Sequence, residues 1–122
     1  GPGTVAFTSL LFWDWYEFTQ DKAALAEHVY PAVEGAAKFL SKTVKQYDDG
    51  KYLVYHSASP ENFTAIDPET GKQLYVHGVG CAFDQQMIWE NANDLLKCVS
   101  ILIVTDNAHN LCVCNGAVIH CI

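Results

Sequence analysis

The stretch DQQMIWENANDLLKCVSIL, from Asp84 to Leu102, carries the clearest secondary-structure signal in this chain of 122 residues. Its apolar side chains recur at intervals of four, three, four and three residues, which is typical of a helix that packs on one face. These side chains are Ile88, Ala92, Leu95, Val99 and Leu102. Asp84 has a side chain suited to a helix N-cap. The stretch therefore predicts a long helix that begins after Asp84.

Three further helices are predicted upstream of this stretch. Residues 5–19 are dense in aromatic and aliphatic side chains and hold only two charges, which indicates a mostly buried helix. Asp21 is a suitable N-cap for a short helix from Lys22 to about Val29. Pro31 suits the first turn of a new helix, because its missing N–H is not needed there. The apolar stripe of that helix is predicted to comprise Val33, Ala37, Leu40 and Val44.

A short strand and a long loop separate these helices from the last one. The turn signal Asp48-Asp49-Gly50 closes the third helical segment, and the aromatic, β-branched residues 51–55 after it predict a strand. A second turn signal at residues 67–71 separates residues 63–66 from residues 73–76, which predicts a small hairpin. The chain is therefore predicted to be mainly α, with a short strand and a long loop.

The composition limits the classes of partner. Seven lysines face fourteen acidic residues, there is no arginine, and the net charge is -7. Without a basic cluster, neither nucleic acid nor an anionic membrane surface is expected as a partner. No apolar run reaches the length of about 18 residues that a membrane span requires. The chain also starts at Gly1 with no visible signal peptide, which indicates either that processing removed a start or that the chain is an internal piece of a longer protein.

The cysteines predict neither a disulfide framework nor a metal site. Their number is five, and an odd number does not form a closed set of disulfides. The last segment combines Cys and His in a spacing that matches no standard zinc pattern. Its side chains of that kind are His109, Cys112, Cys114, His120 and Cys121. No cofactor or metal is therefore expected.

The loop HSASPEN, residues 56–62, holds the one candidate catalytic carboxylate, Glu61. A general acid must reach a leaving-group oxygen at about 2.6–3.2 Å from a rigid support. Pro60 restrains the backbone before Glu61, and short polar side chains surround it, namely Ser57, Ser59 and Asn62. The alternative is a solvated loop glutamate, and spacing alone does not exclude it. His56 is a second candidate because it lies in the same loop.

Aromatic side chains on two predicted helices are candidate platforms for a sugar ring, because Trp and Tyr combine an apolar face with a polar edge. Core packing is the alternative for those within residues 5–19. Trp89 is the more ambiguous of them because it lies beside the apolar stripe of the last helix. We therefore add Trp89 to the candidate substrate-binding residues.

Several segments, taken together in their order along the chain, resemble glycoside hydrolase family 95, the α-L-fucosidase-like enzymes. The resemblance covers residues 3–106. The segments are FWDWYEFTQDKAALAEHVYP (12–31), YPAVEGAAKFL (30–40), DGKYLV (49–54), SASPEN (57–62) and FDQQMIWENANDLLK (83–97). No single segment is decisive, and the resemblance depends on their shared order and spacing.

The resemblance implies a fragment of an (α/α)6 barrel, with residues 1–106 as part of a glycosidase catalytic domain and residues 107–122 as an atypical tail foreign to the fold. It implies that Glu61 is the general acid of an inverting hydrolysis, in which a base activates water on the opposite face of the sugar. The family's base machinery has no match here. The implied substrate is a glycan. Its candidate binding residues, chosen for their place in the sequence, are His56, Ser59, Asn62 and Trp89.

Three alternatives stay open at the level of sequence. A glycoside phosphorylase of the same architecture would also use a loop glutamate as acid, although the absence of arginine disfavours a phosphate substrate. A carbohydrate-binding or helical interaction module would use the aromatic side chains without catalysis. Within the hydrolases, the sugar could be L-fucose or L-galactose, which differ by one hydroxyl group.

Overall fold

A computed structural model describes residues 1–62 and 64–105, with side chains described as far as residue 103. The fold is mainly helical with short antiparallel strands, as the sequence predicts. Its helices are α1 (Gly3–Thr19), α2 (Lys22–Ala24), α3 (Tyr30–Leu40) and α4 (Ala82–Thr105), with a π-helical turn at Leu25–Val29. Its strands are β1 (Val44–Gln46), β2 (Tyr52–Val54), β3 (Thr64–Ile66) and β4 (Gln73–Tyr75). The predicted tail, residues 107–122, lies outside the described residues.

The core lies where α1, α3 and α4 pack against one another. Its larger cluster joins all three helices and the π turn through Trp13, Tyr16, Leu25, Val29, Val33, Cys98 and Leu102. A smaller cluster of Ala6, Ala36 and Leu40 extends it, with Met87 and Ile88 packed against its edge. These contacts arrange the three helices around a common interior, and the two hairpins lie outside it.

Helix α1 forms where it was predicted, but the expectation that it is mostly buried is wrong for the described part of the chain. One face is buried at intervals of three and four residues, at Gly3, Ala6, Ser9, Trp13 and Tyr16. The opposite face leaves Phe7, Leu11 and Phe18 exposed at 56%, 66% and 90%. The reason is that α3 and α4 cover one side of α1 and no described element covers the other.

Asp21 caps α2 as predicted, and its Oδ1 accepts hydrogen bonds from the backbone N–H groups of Ala23 and Ala24 at 2.9 and 3.1 Å. The expectation of two separate helices after it is wrong, because α2 and α3 are joined by a π turn. In this turn the N–H of Tyr30 donates to the carbonyl of Leu25, one residue further back than in an α-helix. A wider turn suits this position, since Pro31 follows and its ring would collide with a carbonyl four residues back in a regular α-helix.

The periodicity predicted that Val44 is part of the apolar stripe of α3, and this is wrong. Val44 instead begins strand β1. Helix α3 ends at Leu40, and the chain then forms an antiparallel hairpin in which Val44 lies opposite Val54. The turn of this hairpin contains Gly50, whose φ of +81° favours glycine, as the Asp-Asp-Gly signal suggested. The predicted strand at residues 51–55 is confirmed as β2.

The one predicted hairpin is confirmed as β3–β4, with Ala65 opposite Leu74. Its turn is stabilised by Asp67, whose Oδ1 accepts hydrogen bonds from the backbone N–H groups of Glu69 and Thr70. All residues of both strands are exposed. The hairpin is therefore held by its own ladder and turn rather than by packing on the core.

Helix α4 starts at Ala82, so the prediction that Asp84 is its N-cap is wrong. Asp84 is the third helical residue and is fully buried. Of the predicted stripe, Ala92 and Leu102 are buried, whereas Ile88, Leu95 and Val99 are half-buried. The buried face of α4 is rotated about the helix axis relative to the predicted apolar stripe. It therefore includes three polar residues that the spacing of the apolar residues did not indicate, namely Asp84, Asn91 and Asp94.

All three of these buried polar residues have defined partners, and those of Asn91 and Asp94 lie on the helices. The amide nitrogen of Asn91 donates to Ser9 Oγ on α1 at 3.0 Å and to the Val33 carbonyl on α3 at 3.3 Å. Asp94 pairs with Lys97 at 2.9 Å. Burial raises the pKa of Asp94, although the hydrogen bond from Lys97 opposes that shift. The same hydrogen bond raises the pKa of Lys97. Asn91 therefore bridges α4 to α1 and α3, whereas the buried Asp94 forms its ion pair within α4.

Candidate active site

The loop that holds Glu61 is closed at its base by a pair of backbone hydrogen bonds between Ser57 and Gly78. The N–H of Ser57 donates to the Gly78 carbonyl at 3.0 Å, and the N–H of Gly78 donates back at 2.7 Å. Residues 57–78 therefore form one loop whose two ends are hydrogen-bonded to each other. We call it the acid loop because it contains the candidate acid, Glu61. It contains the Ser-Pro-Glu-Asn sequence and the β3–β4 hairpin.

A buried carboxylate connects the base of the acid loop to the helices. Asp84 Oδ2 accepts a hydrogen bond from Ser57 Oγ at 2.6 Å and a longer one from the Ala58 N–H at 3.4 Å. Its Oδ1 accepts from the Gly3 N–H at the start of α1 at 2.7 Å. Ser57 Oγ in turn accepts from the Cys81 N–H at 3.0 Å. Asp84 thereby connects α1, α4 and the acid loop.

Strand β2, which leads into the acid loop, is attached to the same end of α4. The Val54 N–H donates to Gln85 Oε1 at 2.7 Å, and Gln85 Nε2 donates to the Tyr52 carbonyl at 3.3 Å. The Gly80 N–H also donates to the Val54 carbonyl at 2.9 Å. The two ends of the acid loop therefore emerge from a hydrogen-bonded platform formed by β2 and the first turn of α4.

Glu61 itself lies away from this platform. Pro60, Glu61 and Asn62 are exposed, and Ser59 is half-buried. Among residues 1–62 and 64–105, no hydrogen bond or ion pair holds the Glu61 carboxylate. The carboxylate is accessible to an approaching molecule, and its backbone follows four residues after the buried Ser57.

The other predicted binding residues occupy two places. His56 directly precedes the acid loop, is exposed, and has a left-handed backbone conformation with φ of +56°. Its ring contacts the edge of Tyr55, with 4.1 Å between the centroids. Trp89 is half-exposed on α4, five residues after Asp84 and thus about 7.5 Å further along the helix axis. The structure therefore groups His56, Ser59 and Asn62 with Glu61 as chain neighbours, while Trp89 lies on another element.

In the described part of the chain, surface grooves lie between α1 and α3 and between α1 and α4, and the acid loop lines neither of them. One lies between α1 and α3, lined by Val5, Thr8, Ser9, Phe12, Ala32, Gly35 and Ala36. The other lies between α1 and α4, and its lining includes Tyr16, Gln20, Asn93, Lys97 and Ile101. The α1–α4 groove includes Trp13, whose ring lies 5.0 Å from the Lys97 ammonium group.

Within the described ranges, no group of three or more His, Cys, Asp or Glu side chains could hold a metal ion. Cys81 and Cys98 are free thiols. The Cys- and His-containing segment from His109 onward lies outside these ranges. None of the helices in the described part of the chain is long and apolar enough to cross a membrane.

Sequence reasoning singled out Glu61 as a candidate but missed the residues that hold its loop. Asp84 had a helix-cap pattern, and Ser57 looked like one of several small loop residues. Nothing in local spacing connects the two, because they are 27 residues apart in the sequence. The sequence signal that could have indicated this role is that Asp84 is a charged residue at the start of an otherwise apolar helix face.

Comparison with known proteins identifies the family. The profile described as "Glycosyl hydrolase family 95 catalytic domain" matches residues 1–114. A relative named "Probable alpha-fucosidase A", from Aspergillus niger (strain ATCC MYA-4892 / CBS 513.88 / FGSC A1513), is 36% identical over 99 residues. That alignment covers 79% of this chain and 12% of the relative, so the chain spans a small part of the relative's length. The chain belongs to glycoside hydrolase family 95.

Proposed function

We propose that this chain is a segment of an inverting exo-glycosidase that hydrolyses α-L-fucosides, and that it supplies the general acid, Glu61. The observation that carries the proposal is the position of Glu61 in a family 95 chain. It lies exposed in the acid loop, whose base is fixed to the first turn of α4 through Asp84. The similarity to a relative named as an α-fucosidase supports fucose as the sugar.

The reaction requires two groups on opposite sides of the scissile bond. In inverting enzymes the acid and the base are roughly 6.5–9.5 Å apart, which leaves room for the attacking water. Glu61 protonates the leaving oxygen, and residues outside this chain activate the water. His56, Ser59 and Asn62 would then contact the sugar beside the acid, and Trp89 would offer an aromatic face to a neighbouring ring.

We also propose that α1, α3 and α4 belong to an (α/α)6 barrel. The apolar outer face of α1 supports this placement, because Phe7, Leu11 and Phe18 would be covered by a neighbouring helix. Covering an apolar surface stabilises a fold by about 25 cal/mol per Å². On its own, the 122-residue chain is expected to associate through this face and to lack hydrolytic activity.

The acid role is tested by Glu61→Gln in the full-length enzyme. Turnover of a fucosyl disaccharide is expected to fall by about 10²-fold or more, because the leaving sugar must be protonated as it departs. Turnover of α-L-fucosyl fluoride is expected to fall much less, because fluoride needs little protonation. Glu69→Gln is the matched control, since Glu69 is also an exposed glutamate of the acid loop. Equal losses on both substrates with Glu61→Gln would count against the acid role.

The first-formed product distinguishes the reaction types. Proton NMR at early times is expected to show β-L-fucose, the inverted anomer, with no requirement for added phosphate. Initial formation of α-L-fucose would contradict inversion, and turnover that depends on inorganic phosphate would indicate a phosphorylase. Binding on a glycan array with no turnover by the full-length protein would favour a carbohydrate-binding module.

A further inference from the structure

We propose that Asp84 is a positioning residue for Glu61, acting through Ser57 and the base of the acid loop. This inference rests on the proposed acid role of Glu61. Asp84 does not itself reach the substrate, because it is fully buried. Its effect on the reaction is to hold the loop at one position relative to α1 and α4.

The hydrogen-bond pattern is the first part of the argument. The Asp84 carboxylate accepts from Ser57 Oγ, the Ala58 N–H and the Gly3 N–H. Ser57 and Ala58 are the first two residues of the acid loop, and Glu61 follows three residues after Ala58. Hydrogen bonds to a carboxylate are shorter and stronger than those between neutral groups, and Ser57 Oγ lies only 2.6 Å from Oδ2.

The second part of the argument is that residues 57–62 have no other direct hydrogen bond to α4 within the described residues. Within the described residues, the hydrogen bonds that connect residues 57–62 to α4 all end on Asp84. The Ser57–Gly78 pair closes the loop upon itself, and the strands of its hairpin are exposed. The Ser57–Asp84 hydrogen bond is therefore the direct link between this part of the loop and α4, and it adds to the attachment of β2 through Gln85.

The close packing around Asp84 is the third part. A Cβ atom added to Gly3 would lie 2.5 Å from Asp84 Oδ1, and one added to Gly1 would lie 2.8 Å from the same carboxylate. The carboxylate thus lies in close contact with the backbone at the start of α1, where a side chain at Gly1 or Gly3 would collide with it. A residue that is packed in this way defines the geometry of the groups that bind it.

The expected consequence of losing the carboxylate is a misplaced acid rather than an absent one. A displacement of about 1 Å at a reacting group can reduce the rate by about 10²-fold. Asp84→Ala and Asp84→Asn are therefore expected to lower kcat on a fucosyl disaccharide by roughly 10–100-fold. Hydrolysis of α-L-fucosyl fluoride should change much less, because it depends little on the acid. The KM for the disaccharide should change less than kcat, because a small displacement of the loop disturbs the alignment of the acid more than it disturbs binding, and Trp89 on α4 stays in place.

The experiment measures kcat on both substrates for full-length Asp84→Asn, Asp84→Ala and Ser57→Ala. The decisive quantity is the ratio of fluoride turnover to disaccharide turnover, since it does not depend on the fraction of enzyme that folds. Asp94→Asn is the matched control, because Asp94 is also a buried aspartate of α4 but pairs with Lys97 away from the loop. We expect the ratio to rise about 10-fold or more in the Asp84 variants and to stay at the wild-type value in Asp94→Asn.

Coupling to Glu61 separates this inference from the proposed function. If Asp84 acts through the acid, Glu61→Gln combined with Asp84→Asn should lose little more disaccharide turnover than Glu61→Gln alone. A wild-type ratio in both Asp84→Asn and Ser57→Ala, with a raised ratio in Glu61→Gln, would overturn the positioning role alone. A wild-type ratio in Glu61→Gln would instead overturn the acid role, and the positioning role with it.

Discussion

The barrel placement of α1 can be tested by replacing Phe18 with serine. The side chain is 90% exposed at the end of α1 in this chain. An aromatic side chain offers on the order of 200 Å² of surface, so roughly 180 Å² of it would be covered by a neighbouring helix. At about 25 cal/mol per Å², the covering contributes roughly 4.5 kcal/mol. The range of about 3–5 kcal/mol that is typical of removing a buried Phe agrees with this value.

The expected effect of Phe18→Ser differs between the full-length enzyme and the isolated chain. In the full-length enzyme, Phe18→Ser should lower the first thermal unfolding transition by several degrees, because it removes a buried contact. In the isolated 122-residue chain, the same change should leave helical content unaltered and reduce association, as followed by sedimentation velocity. Glu17→Ser, at an exposed position of α1 outside the stripe of Phe7, Leu11 and Phe18, is the control in both forms. An unchanged transition in the full-length enzyme would show that the outer face of α1 faces solvent and would refute the barrel placement.

Two further predictions concern the interior. Asn91→Ala should lower the free energy of unfolding in urea by about 1–3 kcal/mol, because two interhelical hydrogen bonds are lost. Asn93→Ala, which removes only an exposed bond within α4, should cost under about 0.5 kcal/mol; equal losses would contradict the bridging role. Burial raises the pKa of Cys98 from 9.0 to about 12, so iodoacetamide at pH 9 should alkylate it on the order of 10²–10³-fold more slowly than a free thiol. Fast alkylation of the folded chain would contradict the raised pKa. Because the native state keeps the thiol proton of Cys98 to a higher pH than the unfolded state does, the stability that Cys98 contributes is complete below pH 9.0 and is lost as the pH rises toward about 12.

The elements that local chemistry controls could be predicted from the sequence. The Asp21 cap, the two turns with Gly50 and Gly71, and the helical period of residues 84–102 all depend on interactions within a few residues. The order of the family segments also placed Glu61 in a loop after a strand. The acid role that the resemblance assigns to Glu61 stays a prediction.

The rest depended on contacts between distant parts of the chain. Val44 continues the helical period of α3 but pairs with Val54, because a strand partner ten residues later competes with another helical turn. Asp84 has the sequence pattern of a cap but accepts hydrogen bonds from Gly3 and Ser57, which are 81 and 27 residues away. The outer face of α1 is rich in apolar side chains, but the described elements leave most of it exposed. Local sequence therefore determined which segments form helices and turns, whereas tertiary packing decided which faces are buried and which carboxylate holds the loop, because burial depends on groups that only folding brings together.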